Sequence, residues 1–221
     1  DMAVMSKVLA TINVEADFSY ELDEARIGNI YTEEAYAYFQ KLQFKNLLSR
    51  FDVTAPSNQI EDSFQVITDK NEAEEILNRA GGSSCMGTCI FKDTKNVLPL
   101  FIFQAGIGGI GVCFSEKDIY CIKIGNGITQ EWLLTKLADA AESVRRFSMF
   151  DLKQAMEYLK IRKQDNCFDT AVAAYLLNPL KSNYSCEDVA REQLDLIIDE
   201  KLEEEVRICY EAYTIYASSE K

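Results

Sequence analysis

FIFQAGIGGIGVCFS, residues 101–115, is the stretch whose reading decides the fold. It holds a literal G-x-G-x-x-G, made by Gly106, Gly108 and Gly111, directly after an apolar run of strand character. In a dinucleotide-binding loop such glycines open a helix whose first amides hold the pyrophosphate. After Gly111 the chain instead reads VCFSEKDIYCIKI, in which β-branched and aromatic residues flank a polar S-E-K-D turn. That is the pattern of a hairpin, and no helical periodicity starts before the Gly-Asn-Gly at 125–127. The fingerprint therefore lacks the context that would make it a nucleotide site, and the glycines read as a flexible or bulged link between strands.

Working outward, residues 61–221 alternate strand and helix patterns. SFQVITD (63–69), LPLFIFQ (98–104), GVCFS (111–115) and IYCIKI (119–124) read as strands, with VRRFSMF (144–150) as a further candidate. NEAEEILNRA (71–80), with Asn71 near its cap, and ITQEWLLTKLADAAESV (128–144) read as helices, with Trp132 turned to the core. Asp151 and Asp169 stand where N-caps belong, and Asn178-Pro179 ends a helix. A long helix closes the chain at roughly 200–217, and its Leu202, Val206, Cys209, Tyr213 and Tyr216 recur at helical spacing as one apolar stripe. These elements predict an α/β fold, a mixed sheet flanked by helices. Residues 1–60 differ and predict a small N-terminal helical appendage. MAVMSKVLATI (2–12) and TEEAYAYFQKLQFKNLLSRF (32–51, capped by Thr32) are helical patterns, and APSNQ (55–59) is the best linker.

The bulk composition removes several function classes. The net charge is −13, which disfavours a duplex-gripping surface because phosphate contacts need basic residues. No apolar run is long enough to span a membrane, and DMAVMSKVLATI lacks the basic start and small-residue cleavage site of a signal peptide. The missing initiator Met suggests a piece of a longer, cytoplasmic protein. Seven cysteines and no histidine suggest reduced thiols and exclude Ser-His and Cys-His nucleophile arrangements. Cys85 and Cys89 form a C-x3-C in GGSSCMGTC, which reads as a Gly/Ser-rich loop, since the further ligands of a structural zinc site are not at comparable spacing.

Two segments carry a family resemblance: SMFDLKQAMEYLKI (148–161) and NCFDTAVAAYLLNPLKSNYSCEDVARE (166–192). Together they resemble the 3′–5′ exonuclease region of bacterial family A DNA polymerases, with F-D-T-x4-Y-L-L-N-P the most recognisable part. SKVLATINVEADFSYEL and YFQKLQFKNLLSRF resemble the end of the 5′-nuclease region and its link to the exonuclease domain. The resemblance implies an RNase H-like fold over 61–221. It also implies partners in the same parent chain, a 5′-nuclease domain and a polymerase domain, with DNA reached through the parent.

An active member of that family uses two divalent cations, Mg²⁺ in the usual case, held by carboxylates that activate water and stabilise the leaving oxygen. The resemblance places its Asp-x-Glu pair at Gln104 and Gly106, taking LFIFQAG as the first motif strand. It places the second-motif Asp at Ala155, counted from Asp151, where the family usually has Asn. The third motif, Tyr-x3-Asp, falls at Cys209 and Tyr213. All four carboxylates are thus replaced, at Gln104, Gly106, Ala155 and Tyr213, which predicts no catalytic, metal or cofactor residue in this chain. Clustered carboxylates without metal repel one another and are costly to bury, so neutral replacements suit a fold that no longer needs the chemistry.

Three functions are compatible with these residues. The first is a degenerate exonuclease-like domain that acts as a structural platform between nuclease and polymerase domains. The second is a working metal-dependent 3′–5′ exonuclease with a rearranged carboxylate set, for which Asp151, Glu157, Asp169 and Glu211 are candidates, although capping accounts for the two aspartates and solvation for the two glutamates. The third is a module that holds single-stranded DNA on aromatic side chains without cutting it.

Overall fold

The computed structural model describes residues 2–13, 15, 26–42, 44, 47, 59–93, 106–181, 184–194, 196, 198 and 202–220. The chain divides into two compact units, Asp1–Thr54 and Ala55–Lys221. In the first, α1 (Met2–Ala10) has no buried residue. The second helix, α2 (Glu33–Lys41), starts at Thr32, whose Oγ1 accepts from the Ala35 amide at 3.2 Å. The expected continuation to residue 51 lies largely outside the described residues, as does the linker at 55–58.

The second unit is built on one six-stranded sheet in the order β1-β4-β3-β2-β5-β6. The strands are β1 (Phe64–Ile67), β2 (Met86–Lys92), β3 (Ile107–Ser115), β4 (Asp118–Lys123), β5 (Phe147–Met149) and β6 (Cys167–Asp169). β2, β3 and β4 are antiparallel neighbours, whereas β1 runs parallel to β4, and β5 and β6 run parallel to β2. The sheet is therefore mixed, as the alternating patterns predict.

The glycines of 106–111 do not open a helix. They enter β3, and β3 turns through Glu116-Lys117 into β4, the hairpin expected from VCFSEKDIYCIKI. One expectation is overturned beside it. Cys85-Met-Gly-Thr-Cys89 is not a loop: Met86–Lys92 forms β2, flanked by β3 and β5 in the middle of the sheet. Its residues are buried on both faces, so it shows none of the apolar-polar alternation that marks a half-exposed strand. The strand expected at 98–104 lies outside the described residues.

One face of the sheet carries α3 (Lys70–Asn78) and α4 (Gln130–Ser143), whose Ile76, Leu77, Leu133 and Leu137 pack on Met86, Ile110, Ile122 and Phe147. Asp69 rather than Asn71 caps α3, its Oδ1 accepting from the Asn71 and Glu72 amides at 2.9 and 3.0 Å. Thr129 caps α4 through the Trp132 amide at 3.2 Å. The turn before it passes through Gly125, Asn126 and Gly127 at φ 139°, 48° and 90°, a left-handed run that glycine and asparagine tolerate best. Trp132 is half-buried against the core, with Lys70 Nζ 5.1 Å from its ring centroid.

The short α5 (Leu152–Ala155) and α6 (Thr170–Leu177) come after β5 and β6, and α6 ends at Asn178, directly before Pro179. The opposite face of the sheet is covered by the last helix, α8 (Glu204–Glu220), with α7 (Cys186–Leu194) packed against it. α8 is buried on more than one side. Ile208, Cys209, Ala212 and Ile215 meet the sheet, while Tyr210 turns to Ala190 and Ile198 and packs edge-on against Phe64. The buried surface is therefore wider than the single stripe predicted. Leu202 and Val206 belong to the Tyr210 cluster, and Tyr213 and Tyr216 border the sheet side.

Candidate functional site

The site is the contact between α8, which carries Cys209 and Tyr213, and the middle of the sheet. Alternation along each strand decides what faces the helix. β2 presents Gly87, Cys89 and Phe91, β3 presents Gly111 and Cys113, and β4 presents Ile119 and Cys121. The helix meets them with its own backbone. A Cβ on Gly87 would fall 2.4 Å from Tyr216 N and 2.6 Å from Ala212 O. One on Gly111 would fall 2.7 Å from Cys89 Sγ and 2.9 Å from Ile208 O. Glycine is required at both positions because helix and strand backbones touch there, which leaves no room between them for an ion and its ligand shell.

The groups around that contact are thiols and hydrocarbon. Cys89, Cys113, Cys121 and Cys209 are buried, and all seven cysteines are free. Burial pushes the Cys121 and Cys209 thiols up to about 12, and Cys89 and Cys113 also lie above the ordinary thiol range, again through burial. They are neutral S–H groups at physiological pH. The Cys89 thiol donates to the Ile208 carbonyl at 3.6 Å, and Cys186 donates to the Glu211 carbonyl at 3.9 Å. Mg²⁺ requires oxygen ligands in octahedral array, and this donor set does not fit it. Among the described residues, no three Cys, Asp or Glu side chains are placed to hold a metal ion.

Among the described residues two acids enter this region: Glu205, paired with Lys123 beside Cys121, and Glu211. Glu211 is half-buried rather than solvated, and its carboxyl is raised to about 7. Burial is the largest cause and repulsion from Glu187 adds to it; attraction from Arg207 and a hydrogen bond from Cys89 act in the opposite direction. The helix pattern alone does not single it out, since a glutamate two residues from both Cys209 and Tyr213 of the apolar stripe reads as solvated. The α7 start that buries it is a tertiary contact.

Of the other candidate acids, the two aspartates cap helices. Asp169 Oδ1 accepts from the Ala171 and Val172 amides at 2.9 and 3.2 Å, and its Oδ2 accepts from the Leu152 amide at 2.8 Å. A single carboxylate thus caps α6 and also ties it to the start of α5. Asp151 adopts a left-handed conformation, φ 54° and ψ 63°, and accepts from the Gln154 amide at 3.3 Å. Glu157 is exposed.

Of the four positions that the resemblance singles out, Gln104 lies outside the described residues. Gly106 is exposed just before β3, and its carbonyl accepts from the Asp93 amide at 2.9 Å. A Cβ there would meet only Gln130 Oε1, at 3.8 Å, so glycine is not sterically required. Ala155 is buried in the cluster on the α3/α4 side of the sheet, and Tyr213 is half-buried in the cluster under α8. The structure does not bring Ala155 and Tyr213 into one cluster. The strand that neighbours β5, and so ends beside α5, is β2 rather than the segment at 98–106.

A mixed six-stranded sheet in this order, covered by helices on both faces, has the RNase H-like fold of RNase D and other 3′–5′ exonucleases. Trypanosoma brucei RNase D superposes with a TM-score of 0.54 at 13% identity, covering 73% of this chain and 65% of that one. The EXO domain of Aedes aegypti Nibbler gives 0.53 at 11% identity, over 72% of this chain and 85% of that domain. The sequence itself is similar to a stretch of DNA polymerase I. The match is 25% identical over 195 residues with the Bacillus subtilis (strain 168) protein and 26% over 197 residues with that of Bacillus caldotenax. These matches cover 87% and 86% of this chain but 21% and 20% of the relatives, so the chain spans about a fifth of their length. A solved structure of Pol1 from M. smegmatis also shares the fold, with a TM-score of 0.50 at 19% identity over 71% of this chain. No protein-family model matches the chain.

Proposed function

We propose that this chain is the 3′–5′ exonuclease-like region of a DNA polymerase I, that it has lost the metal site of its fold, and that it serves as a rigid platform between a 5′-nuclease domain and a polymerase domain. In this reading it works in the cytoplasm in DNA replication and repair, and DNA is reached through the parent protein. The domain holds no metal cofactor of its own in this reading: Ala155 and Tyr213 are neutral replacements rather than catalytic groups, and the first motif's place beside β5 is taken by β2 and not by Gln104 and Gly106.

The observation that carries the reading is the contact at Gly87 and Gly111. There α8 rests directly on the backbones of β2 and β3 and is surrounded by protonated thiols. An exonuclease of this kind needs a water-filled cleft with converging carboxylates to hold two cations. In this reading the packing of α8 on the sheet leaves no such cleft, and Asp151 and Asp169 are committed to helix caps.

The test is incubation of the chain with 3′-labelled single-stranded DNA in Mg²⁺ or Mn²⁺, with chelator as control. The expected result is no metal-dependent loss of 3′ nucleotides. Shortening that chelator abolishes, and that an Asp151→Asn/Asp169→Asn double variant also abolishes, would replace the platform with a rearranged exonuclease.

A further inference from the structure

The helix α6 is apolar around most of its circumference, TAVAAYLL, yet only Thr170 in it is fully buried. Val172, Tyr175, Leu176 and Leu177 are 53, 51, 72 and 70% exposed, and Leu180 just beyond is 95% exposed. Val172, Tyr175 and Leu176 are spaced to share one side of the helix, and Leu177 and Leu180 extend the patch past its C-terminal end. No charged residue occurs between Asp169 and Lys181, in a chain that is 27% charged. A helix apolar on all sides belongs in an interior, and soluble monomers rarely leave several large aliphatic side chains exposed together. An uncharged face of this kind selects an apolar partner surface. It offers nothing to a phosphate backbone.

The relatives indicate where such a surface would come from. The stretch they share with this chain includes most of it, and they extend several times its length beyond the match. We propose that the α6 face is a docking surface for an apolar patch of the polymerase domain in a longer parent chain, and that this contact fixes the platform to the domain it supports. The inference rests on the polymerase reading proposed for the chain.

The experiment is hydroxyl-radical footprinting with peptide mass spectrometry, run on this 221-residue chain and on the full-length product of its gene, both normalised to an added reporter peptide. Tyr175, Leu176 and Leu177 are expected to oxidise about fivefold more slowly, or less, in the full-length protein, as for residues that enter an interface core. Leu176→Asp in the full-length protein should restore fast oxidation at Tyr175 and Leu177. Equal rates in the two proteins would overturn the proposal, as would a full-length product no longer than this chain. Sedimentation showing that this chain dimerises, with Leu176→Asp monomeric, would assign the face to a second copy instead. The metal-site reading fails separately. An active nuclease with a protected α6 sinks only that reading, and an inactive one with an exposed α6 sinks only the docking surface.

Discussion

Replacing Glu211 by Gln should stabilise the protein at pH 8 and do so less at pH 5. The folded protein raises this carboxyl from an ordinary 4.5 to about 7, through burial first and Glu187 second. A raised acid is held protonated more tightly in the folded than in the unfolded state. Its contribution to stability is therefore fully present below the ordinary carboxylate value, declines as pH rises towards about 7, and is lost above that. The shift corresponds to about 3 kcal/mol at most, and discounting for the partial solvent access of a half-buried group brings it to about 1–2 kcal/mol. Gln keeps the shape but carries no charge to bury. The expected gain at pH 8 is about 1–2 kcal/mol, or ~3–6 °C in Tm for a protein of this size, falling to about 0.6–0.8 kcal/mol, or ~2 °C, at pH 5. Thermal unfolding of wild type and variant at pH 5, 6, 7 and 8 measures it directly. A gain that is equal at pH 5 and pH 8, or no gain at all, would refute the argument that Glu211 is a stranded acid.

Three further perturbations test the packing. Gly87→Ala drives a methyl to within 2.4 Å of the α8 backbone and should cost about 3 kcal/mol or more in denaturant unfolding, whereas Gly106→Ala, with open space around it, should change stability by less than ~0.5 kcal/mol; similar costs at the two sites would contradict the helix-on-sheet contact. Asp169→Ala removes the cap of α6 and its tie to the Leu152 amide, and should cost about 1–3 kcal/mol at pH 7, with Asp169→Asn recovering part of it; a neutral effect in chemical denaturation would show the carboxylate to be idle. In thiol titration at pH 8 the buried Cys85, Cys89, Cys113, Cys121 and Cys209 should stay unreactive until the protein is unfolded, when all seven cysteines react; rapid labelling of Cys121 or Cys209 in the native protein would contradict their neutral, enclosed state.

The parts of this fold that are legible in the sequence are those with strong local chemistry. The β3–β4 hairpin is visible because aromatic and β-branched residues surround a polar turn, and that same pattern removes the G-x-G-x-x-G from consideration as a nucleotide loop. α4 is visible from its apolar periodicity. The hidden parts depend on contacts distant in sequence. β2 resembles a loop because its Gly87 and Cys89 fit beneath α8, and small residues placed for close packing carry no strand signature. Asp69 is hard to pick out as the cap of α3, since an Asp two residues ahead of an Asn leaves the choice to backbone geometry. Glu211 reads as solvated because the covering element, α7, belongs to a different stretch of chain. The composition does indicate one property of the site. Seven cysteines without a histidine fit an interior that uses thiols as small hydrophobes, and five of the seven are buried.

Divalent-metal titration tests the central claim most directly. Mn²⁺ added to the metal-free chain and monitored by electron paramagnetic resonance counts bound ions irrespective of activity. Helix α8 packed on the sheet over neutral thiols predicts no site tighter than millimolar and no change on Asp151→Asn or Asp169→Asn. One or two Mn²⁺ ions bound in the micromolar range, and lost in either variant, would mean that the carboxylates of this domain still gather around a metal.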